Sequence, residues 1–321
     1  MDCIIHWVRK TRNLAFELHF YAYMCELGLE VLFGNSLVSL FMESGRIFHG
    51  QQVFLRLPYP DETSWSSLIT GYVETGDFKH ALTLYALMQD GCCDSLHPNA
   101  RAFVALLKAC TALKDLEGGQ NIHAQIDRNV SLKADDFISS ALINMYVKCG
   151  SIVKAEEVFE TVLVRNVVSW NILIAGYAQG GELGEVLYIL EGMKGEGIKP
   201  SPVTFISVLN ACSHVGLVDK GETYFEAMAQ SYGVTPTLEH QSCLVDILGR
   251  AGQLENVAFV MNITPSLPNT VMWLTMLSAC RKWGDVRLGR NAFEQVVSMD
   301  GNNSASYMCM HKLYAGASME E

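Results

Sequence analysis

Apolar residues recur along this chain at the spacing of one helix face. Phe205, Val208, Leu209 and Cys212 stand at i, i+3, i+4 and i+7, and so do Leu142, Met145, Tyr146 and Cys149. That periodicity predicts amphipathic helices. Leu183, Val186, Leu187 and Leu190 obey the same rule and predict a second helix shortly after a first. Gly45, Gly76, Gly150, Gly181, Gly216, Gly252 and Gly284 fall where the first helix of each pair should end, and helix ends favour a left-handed residue. Pro60, Pro98, Pro200, Pro236 and Pro268 each stand one residue before an outer boundary, where a helix cannot continue. The predicted unit is a helical hairpin.

The hairpins restate one another. Ser64-Trp65-Ser66-Ser67-Leu68-Ile69, Ser169-Trp170-Asn171-Ile172-Leu173-Ile174 and Met272-Trp273-Leu274-Thr275-Met276-Leu277 form one family. LLKACTALKDLEGG, VLNACSHVGLVDKG and MLSACRKWGDVRLG form a second, and GNSLVSLFMESG, SSALINMYVKCG and QSCLVDILGRAG a third. The larger period is therefore a triplet of unlike repeats. These anchors give seven repeats at 31–61, 62–99, 100–135, 136–166, 167–201, 202–237 and 238–269. A partial repeat precedes them at 1–30, and two related segments follow at 270–303 and 304–321. Hairpins of this size bury their faces only by stacking, so the expected fold is an all-α, right-handed α-solenoid whose first helices line a concave groove. Extra residues around Gly91-Cys92-Cys93-Asp94 in the repeat 62–99 are expected to lengthen a loop.

Composition narrows the functional classes. Half of the 321 residues are hydrophobic and only 18% are charged, as suits helices sandwiched between neighbours. The most apolar stretch, Val31 to Met42, is too short for a membrane span and contains Asn35, Ser36 and Ser39. A net charge of -11 weighs against indiscriminate affinity for phosphate backbones. The ten cysteines lack paired spacing and read as buried thiols in a reducing compartment. No Gly-rich phosphate loop, nucleophile elbow or paired-acid constellation points to an enzyme. Cys212 and His214 lack further ligands at metal spacing, so neither a metal nor a cofactor is expected. Arg9, Lys10 and Arg12 near the N-terminus do not make a transit peptide, and none is visible in this chain.

VVSWNILIAGYAQGG, VTFISVLNACSHVGLVDKG, LEHQSCLVDILGRAGQLE and VMWLTMLSACRKWGDVRLG together resemble the plant pentatricopeptide repeat family, in the subclass whose long, short and standard repeats alternate. In that light 1–30 is a partial long repeat, and 270–321 resembles the C-terminal extension motifs of the subclass, the second stopping early. The resemblance implies a site-recognition factor for single-stranded RNA in a mitochondrion or chloroplast, commonly for cytidine-to-uridine editing. Many relatives carry a zinc deaminase domain that needs His-x-Glu and Cys-x-x-Cys segments. Neither segment occurs here, so the resemblance implies a deaminase or other editing factor docking on 270–321.

In this family each repeat faces one base, read by the fifth and the last residue of the repeat. An acceptor-only Asp satisfies the ring N–H of uracil or guanine, and a donor such as Asn or Ser satisfies the bare ring nitrogen of adenine or cytosine. Asn35 with Asp61 then implies U, Ser66 with Asn99 A, Ser140 with Asn166 A, Asn171 with Ser201 C, and Ser242 with Asn269 A. Val104 and Ile206 hold the fifth position of the long repeats and read no base. From the RNA 5′ end the expected target is U-A-N-A-C-N-A. The same polar residues also suit plain helix caps. Trp65, Trp170 and Trp273 are expected in the core, and Cys110, Cys212 and Cys280 as small buried residues that permit close packing. Two other readings compete: an acidic scaffold for basic protein partners, and a truncated copy that folds without function.

Overall fold

The computed structural model describes residues 14–26, 28–29, 32–90, 97–162, 164–263 and 268–317. The Gly91 to Asp94 loop, with Cys92 and Cys93, and the N-terminal basic residues lie outside them. Among the described residues there are nineteen helices and no strand. The chain divides into two compact units, Met1–Arg165 and Asn166–Glu321.

In the first unit, α1 (Leu14–Glu26) precedes α2 (Gly34–Glu43), α3 (Ile47–Arg56), α4 (Glu62–Glu74), α5 (Phe78–Asp90), α6 (Ala100–Leu113), α7 (Leu116–Asp127), the short α8 (Val130–Lys133), α9 (Asp136–Lys148) and α10 (Ile152–Thr161). The first helices α2, α4, α6 and α9 form a row, each packed on the next. The second helices α3, α5 and α7 each rest on their own first helix and on the following one. The second unit repeats the scheme with α11 (Val167–Gly180), α12 (Leu183–Gly195), α13 (Pro202–Val215), α14 (Val218–Gln230), α15 (Leu238–Arg250), α16 (Leu254–Ile263), α17 (Thr270–Trp283), α18 (Val286–Met299) and α19 (Ser304–Ala317). Here α11, α13, α15, α17 and α19 make the row, and α12, α14, α16 and α18 bridge neighbouring first helices.

The apolar stripes read from the sequence are the faces that meet. Phe205, Val208, Leu209 and Cys212 are buried along α13, as are Leu142, Met145 and Tyr146 along α9. Each such side chain contributes about 1.5–3 kcal/mol when removed from water. Cys212 and Cys280 pack as expected of small residues, because a glycine of the second helix comes close to each. A Cβ placed on Gly289 would stand 3.2 Å from the Cys280 Cβ, and one on Gly221 would stand 3.7 Å from the Cys212 Cβ. Burial pushes the thiols of Cys110 and Cys280 up to about 12 and that of Cys212 up to about 11, so all three stay protonated and inert. Trp170 is buried as expected. Trp65 and Trp273 are only half-buried, Trp65 lying edge-on to Phe54 at 4.7 Å.

The seven glycines expected at first-helix ends all take positive φ, between +72° and +84°. The repeat 100–135 has no glycine there, and Lys114 adopts φ +58° in its place, its ammonium held by the Lys148 carbonyl. No helix among the described residues is long and apolar enough to cross a membrane. No group of three or more His, Cys, Asp or Glu among them is placed to hold a metal ion.

Candidate nucleic-acid interface

The first helices need partners for the backbone N–H groups of their first turn, and the repeat supplies them from its own boundary. Asp61, Asn99, Asn166, Ser201 and Asn269 are the N-caps of α4, α6, α11, α13 and α17. Each accepts the N–H three residues on, at 2.8 Å for Asp61, 3.0 Å for Asn99, 2.9 Å for Asn166 and Asn269, and 3.3 Å for Ser201. The capping role is therefore real at the last-position member of all five expected reading pairs. Asp135, which closes a long repeat, caps α9 in the same way, so capping belongs to the fold as well.

Capping leaves each residue with a defined hydrogen-bonding character. Asn99, Asn166 and Asn269 spend the amide oxygen on the helix and keep the NH2, a pure donor. Asp61 keeps its second carboxylate oxygen, a pure acceptor. Ser201 receives Asn171 Nδ2 at 2.9 Å and the Thr204 N–H at 3.3 Å, and because Thr204 gives its own proton to Asn171, the Ser201 hydroxyl donates to Thr204 Oγ1 at 3.1 Å, so it is fully engaged inside the protein.

The fifth-position residues differ in how they meet these caps. The Asn99 N–H donates to Ser66 Oγ at 3.1 Å. Asn171 donates to Ser201 and accepts from Thr204 Oγ1 at 2.6 Å, closing a network between α11 and α13. These two pairs are brought together. Asn35 is half-buried with its side-chain amide oxygen Oδ1 lacking a hydrogen-bond partner, and no hydrogen bond joins it to Asp61. Ser242 turns its hydroxyl back onto the Leu238 carbonyl at 2.8 Å instead of toward Asn269. Ser140 belongs to the first unit and Asn166 to the second. Val104 and Ile206 are half-buried, without a polar group to offer.

Around Ser66 and Asn99 the surface sinks into a cavity of about 200 Å³. Hydroxyls line it: Ser39, Thr63, Ser67 and Thr70 join the two expected readers, with Arg101 and Glu74 paired at 3.2 Å beside them. One further set of residues escaped the sequence reading. Leu32, Phe137, Val168, Val203 and Val271 stand second in their repeats, and all are exposed, Phe137 by 81%. Each lies three residues before a fifth position, hence, for the four that lie within helices, Phe137, Val168, Val203 and Val271, on the same helix face. The available signal was an apolar residue outside the buried stripe of its own helix. Thr63, Arg101 and Glu239 break the pattern in the other repeats.

Known proteins match this chain along most of its length. The PPR repeat model matches residues 63–93, 137–167, 203–231 and 271–300, and the PPR repeat family model matches 165–214. A putative pentatricopeptide repeat-containing protein of Arabidopsis thaliana is 37% identical over 299 residues, 93% of this chain and 41% of that protein. The chloroplastic pentatricopeptide repeat-containing protein CRR2 of the same plant is 34% identical over 318 residues, 99% of this chain and 48% of that protein. The chain thus spans less than half the length of both. Among solved structures, the pentatricopeptide repeat protein PPR10 in complex with an 18-nt psaJ RNA element superposes with a TM-score of 0.78 at 16% identity, over 94% of this chain and 45% of that one. The structure of PPR10 from maize gives a TM-score of 0.73 over 95% of this chain and 45% of that one, also at 16% identity. The shared fold is the α-solenoid of helical hairpins.

Proposed function

Because the chain belongs to the pentatricopeptide repeat family, we propose that it binds single-stranded RNA by sequence and marks a site for an enzyme supplied by a partner. The observation that carries this reading is the direct hydrogen bonding of Ser66 with Asn99 and of Asn171 with Ser201. In each pair the residue from the middle of one first helix meets the cap of the next, so both bear on one space between adjacent repeats. The groups left unused have the sense that base edges require. The donor at Asn99 suits the ring nitrogen of adenine, and the acceptor at Asp61 suits the N–H of uracil. Exposed Val168 and Phe137, one turn away on the same face, offer apolar surface to the flat side of a base.

The solved relative with the same fold binds an 18-nt RNA element, and CRR2 is chloroplastic. We carry both properties to this chain: an organellar RNA target beginning U-A-N-A-C-N-A, with cytidine-to-uridine editing by a deaminase docked on 270–321. The test is a titration of the purified chain against U-A-N-A-C-N-A and against RNAs in which each specified base is exchanged for its opposite class. At physiological salt the matched RNA should bind at least tenfold tighter, roughly 1.4 kcal/mol. Equal binding of both, or binding at low salt alone, overturns the base assignments and favours the acidic-scaffold reading.

A further inference from the structure

The second unit carries a cavity that the base-reading scheme does not use. It lies between α15 and α17 and encloses about 530 Å³, within the range of sites that hold small organic ligands. Its register is that of the next base position after the last repeat, because Leu274, fifth in 270–303, forms part of the wall. Leu274 has no polar group to read a base with. What the cavity has instead is cationic: Arg250, Arg281 and Lys282, set against the single carboxylate of Asp246. In a chain of net charge -11 this is an unusual balance. The cavity at Ser66 and Asn99 has the opposite one, with Glu43 and Glu74 against Arg101.

Two of the three cations, Arg250 and Lys282, are held in place before any ligand arrives. Arg250 Nε donates to Asp246 Oδ2 at 2.9 Å, and Asp246 also accepts from the Ser213 hydroxyl. Lys282 Nζ donates to the Arg250 carbonyl at 3.0 Å and sits 4.8 Å from the centre of the Trp283 ring. Trp283 Nε1 in turn donates to the Gly249 carbonyl at 2.9 Å, pinning the end of α17 to the end of α15. Asp246 therefore neutralises Arg250, while Lys282 retains two N–H donors and the exposed Arg281 keeps its whole guanidinium fork. The hydroxyls of Thr275 and Ser278 complete the polar lining, and Val271, Leu274 and Ala279 the apolar part. A forked guanidinium beside an ammonium, hydroxyls and an apolar wall is the chemistry that recognises a phosphodiester and its sugar without regard to the base.

We infer that this cavity is a sequence-independent RNA site that grips the backbone phosphates of the nucleotides immediately 3′ of the segment read by the repeats. The inference rests on the RNA-binding reading above, with the N-terminus of the protein at the RNA 5′ end. It makes the first extension segment part of the RNA track, which holds the strand in place beyond the last read base.

The experiment uses the whole chain and three RNAs: the heptamer UAUACUA, the same with three uridines added 3′, and the same with three uridines added 5′. The 3′ extension should tighten binding at least fivefold at physiological salt, and the 5′ extension should not. Arg281→Gln and the double variant R281Q/K282Q should remove that gain and leave heptamer affinity unchanged. The salt slope of the 3′-extended RNA should fall by roughly 0.7 for each phosphate that the variant no longer neutralises. Arg281→Gln alters an exposed side chain that the fold does not depend on, so it guards against a misfolded double variant, and equal melting temperatures verify this. Methylphosphonate linkages in the 3′ extension should abolish the gain in the unsubstituted protein. Heptamer binding with no 3′ gain, or a gain that survives both variants, overturns the inference and leaves the base-reading function standing. Should the heptamer itself not bind, the function reading fails. The cavity is then judged by decauridine alone: salt-dependent binding abolished in R281Q/K282Q sustains the anion site, and its absence overturns it.

Discussion

Asp61 offers the cleanest separation of the folding role of a cap from its reading role. It caps α4 at φ -94° and ψ 175°, accepting the Ser64 N–H at 2.8 Å. Asn166 caps α11 at φ -98° and ψ 165° with a 2.9 Å bond to the Ser169 N–H. The two sites are nearly superimposable, and Asn is as good an N-cap as Asp. Asp61→Asn should therefore cost only the charge at the helix N-terminus, about 0.5 kcal/mol, with Glu62 still acidic in the first turn. The unused atom changes from an acceptor to a donor. A hydrogen bond to a charged group contributes about 1.5–3 kcal/mol, and solvent access to Asp61 places this one near the lower end, about tenfold in affinity. In fluorescence anisotropy the unsubstituted chain should prefer UAUACUA to CAUACUA by about that factor, and Asp61→Asn should reverse the preference, since a donor at this cap suits the bare ring nitrogen of cytosine. An unchanged preference in a variant that melts normally would refute the reading role. A variant that melts far below the parent would refute the cap equivalence.

Three other outcomes are expected. Thr204→Val strips the acceptor from the Ser201 N–H, bonded at 2.9 Å, and the donor from Asn171, so it should destabilise the chain by about 2 kcal/mol in urea denaturation while keeping its shape. Gly249→Ala places a methyl 2.9 Å from the rigid Ala279 Cβ, and the overpacking should cost about 1–3 kcal/mol in the same assay; a neutral result would mean that α15 and α17 can separate freely. His123 is held neutral mainly by burial, with Lys133 and Lys154 adding to the effect against the opposing pull of Asp127. Asp127 Oδ2 lies 3.5 Å from Nε2, and Nδ1 shares a hydrogen bond with Tyr146 Oη at 2.9 Å. A depressed histidine pKa lets the unfolded chain bind the proton first, so this stability is complete above about 6.5 and is lost as pH falls through the lower folded value. Thermal melts from pH 7.5 to pH 5.5 should fall more steeply for the parent than for His123→Gln, and parallel profiles would contradict the assignment.

Much of the fold was legible because its determinants are local and repeated. A 3.6-residue apolar stripe such as Phe205 to Cys212 can be read without knowing what covers it, and glycine at a helix end carries its own conformational reason. Repetition then supplied what one stripe could not, since a hairpin that recurs must stack on copies of itself. Lys114 escaped this reading because its left-handed backbone follows from the chain on either side and not from its own preference. The ten expected reading residues were legible only as positions. The sequence by itself determined which of them are polar and where they recur. Tertiary structure decided that Asp61, Asn99, Asn166 and Asn269 spend one atom on the helix and keep another of fixed sense, that Asn171 meets Ser201 while Ser242 turns onto its own helix, and that Arg250 of one hairpin joins Arg281 and Lys282 of the next in one cavity. Those outcomes depend on the distance and tilt between neighbouring helices, set by packing at glycines such as Gly249, and no single-helix periodicity encodes them.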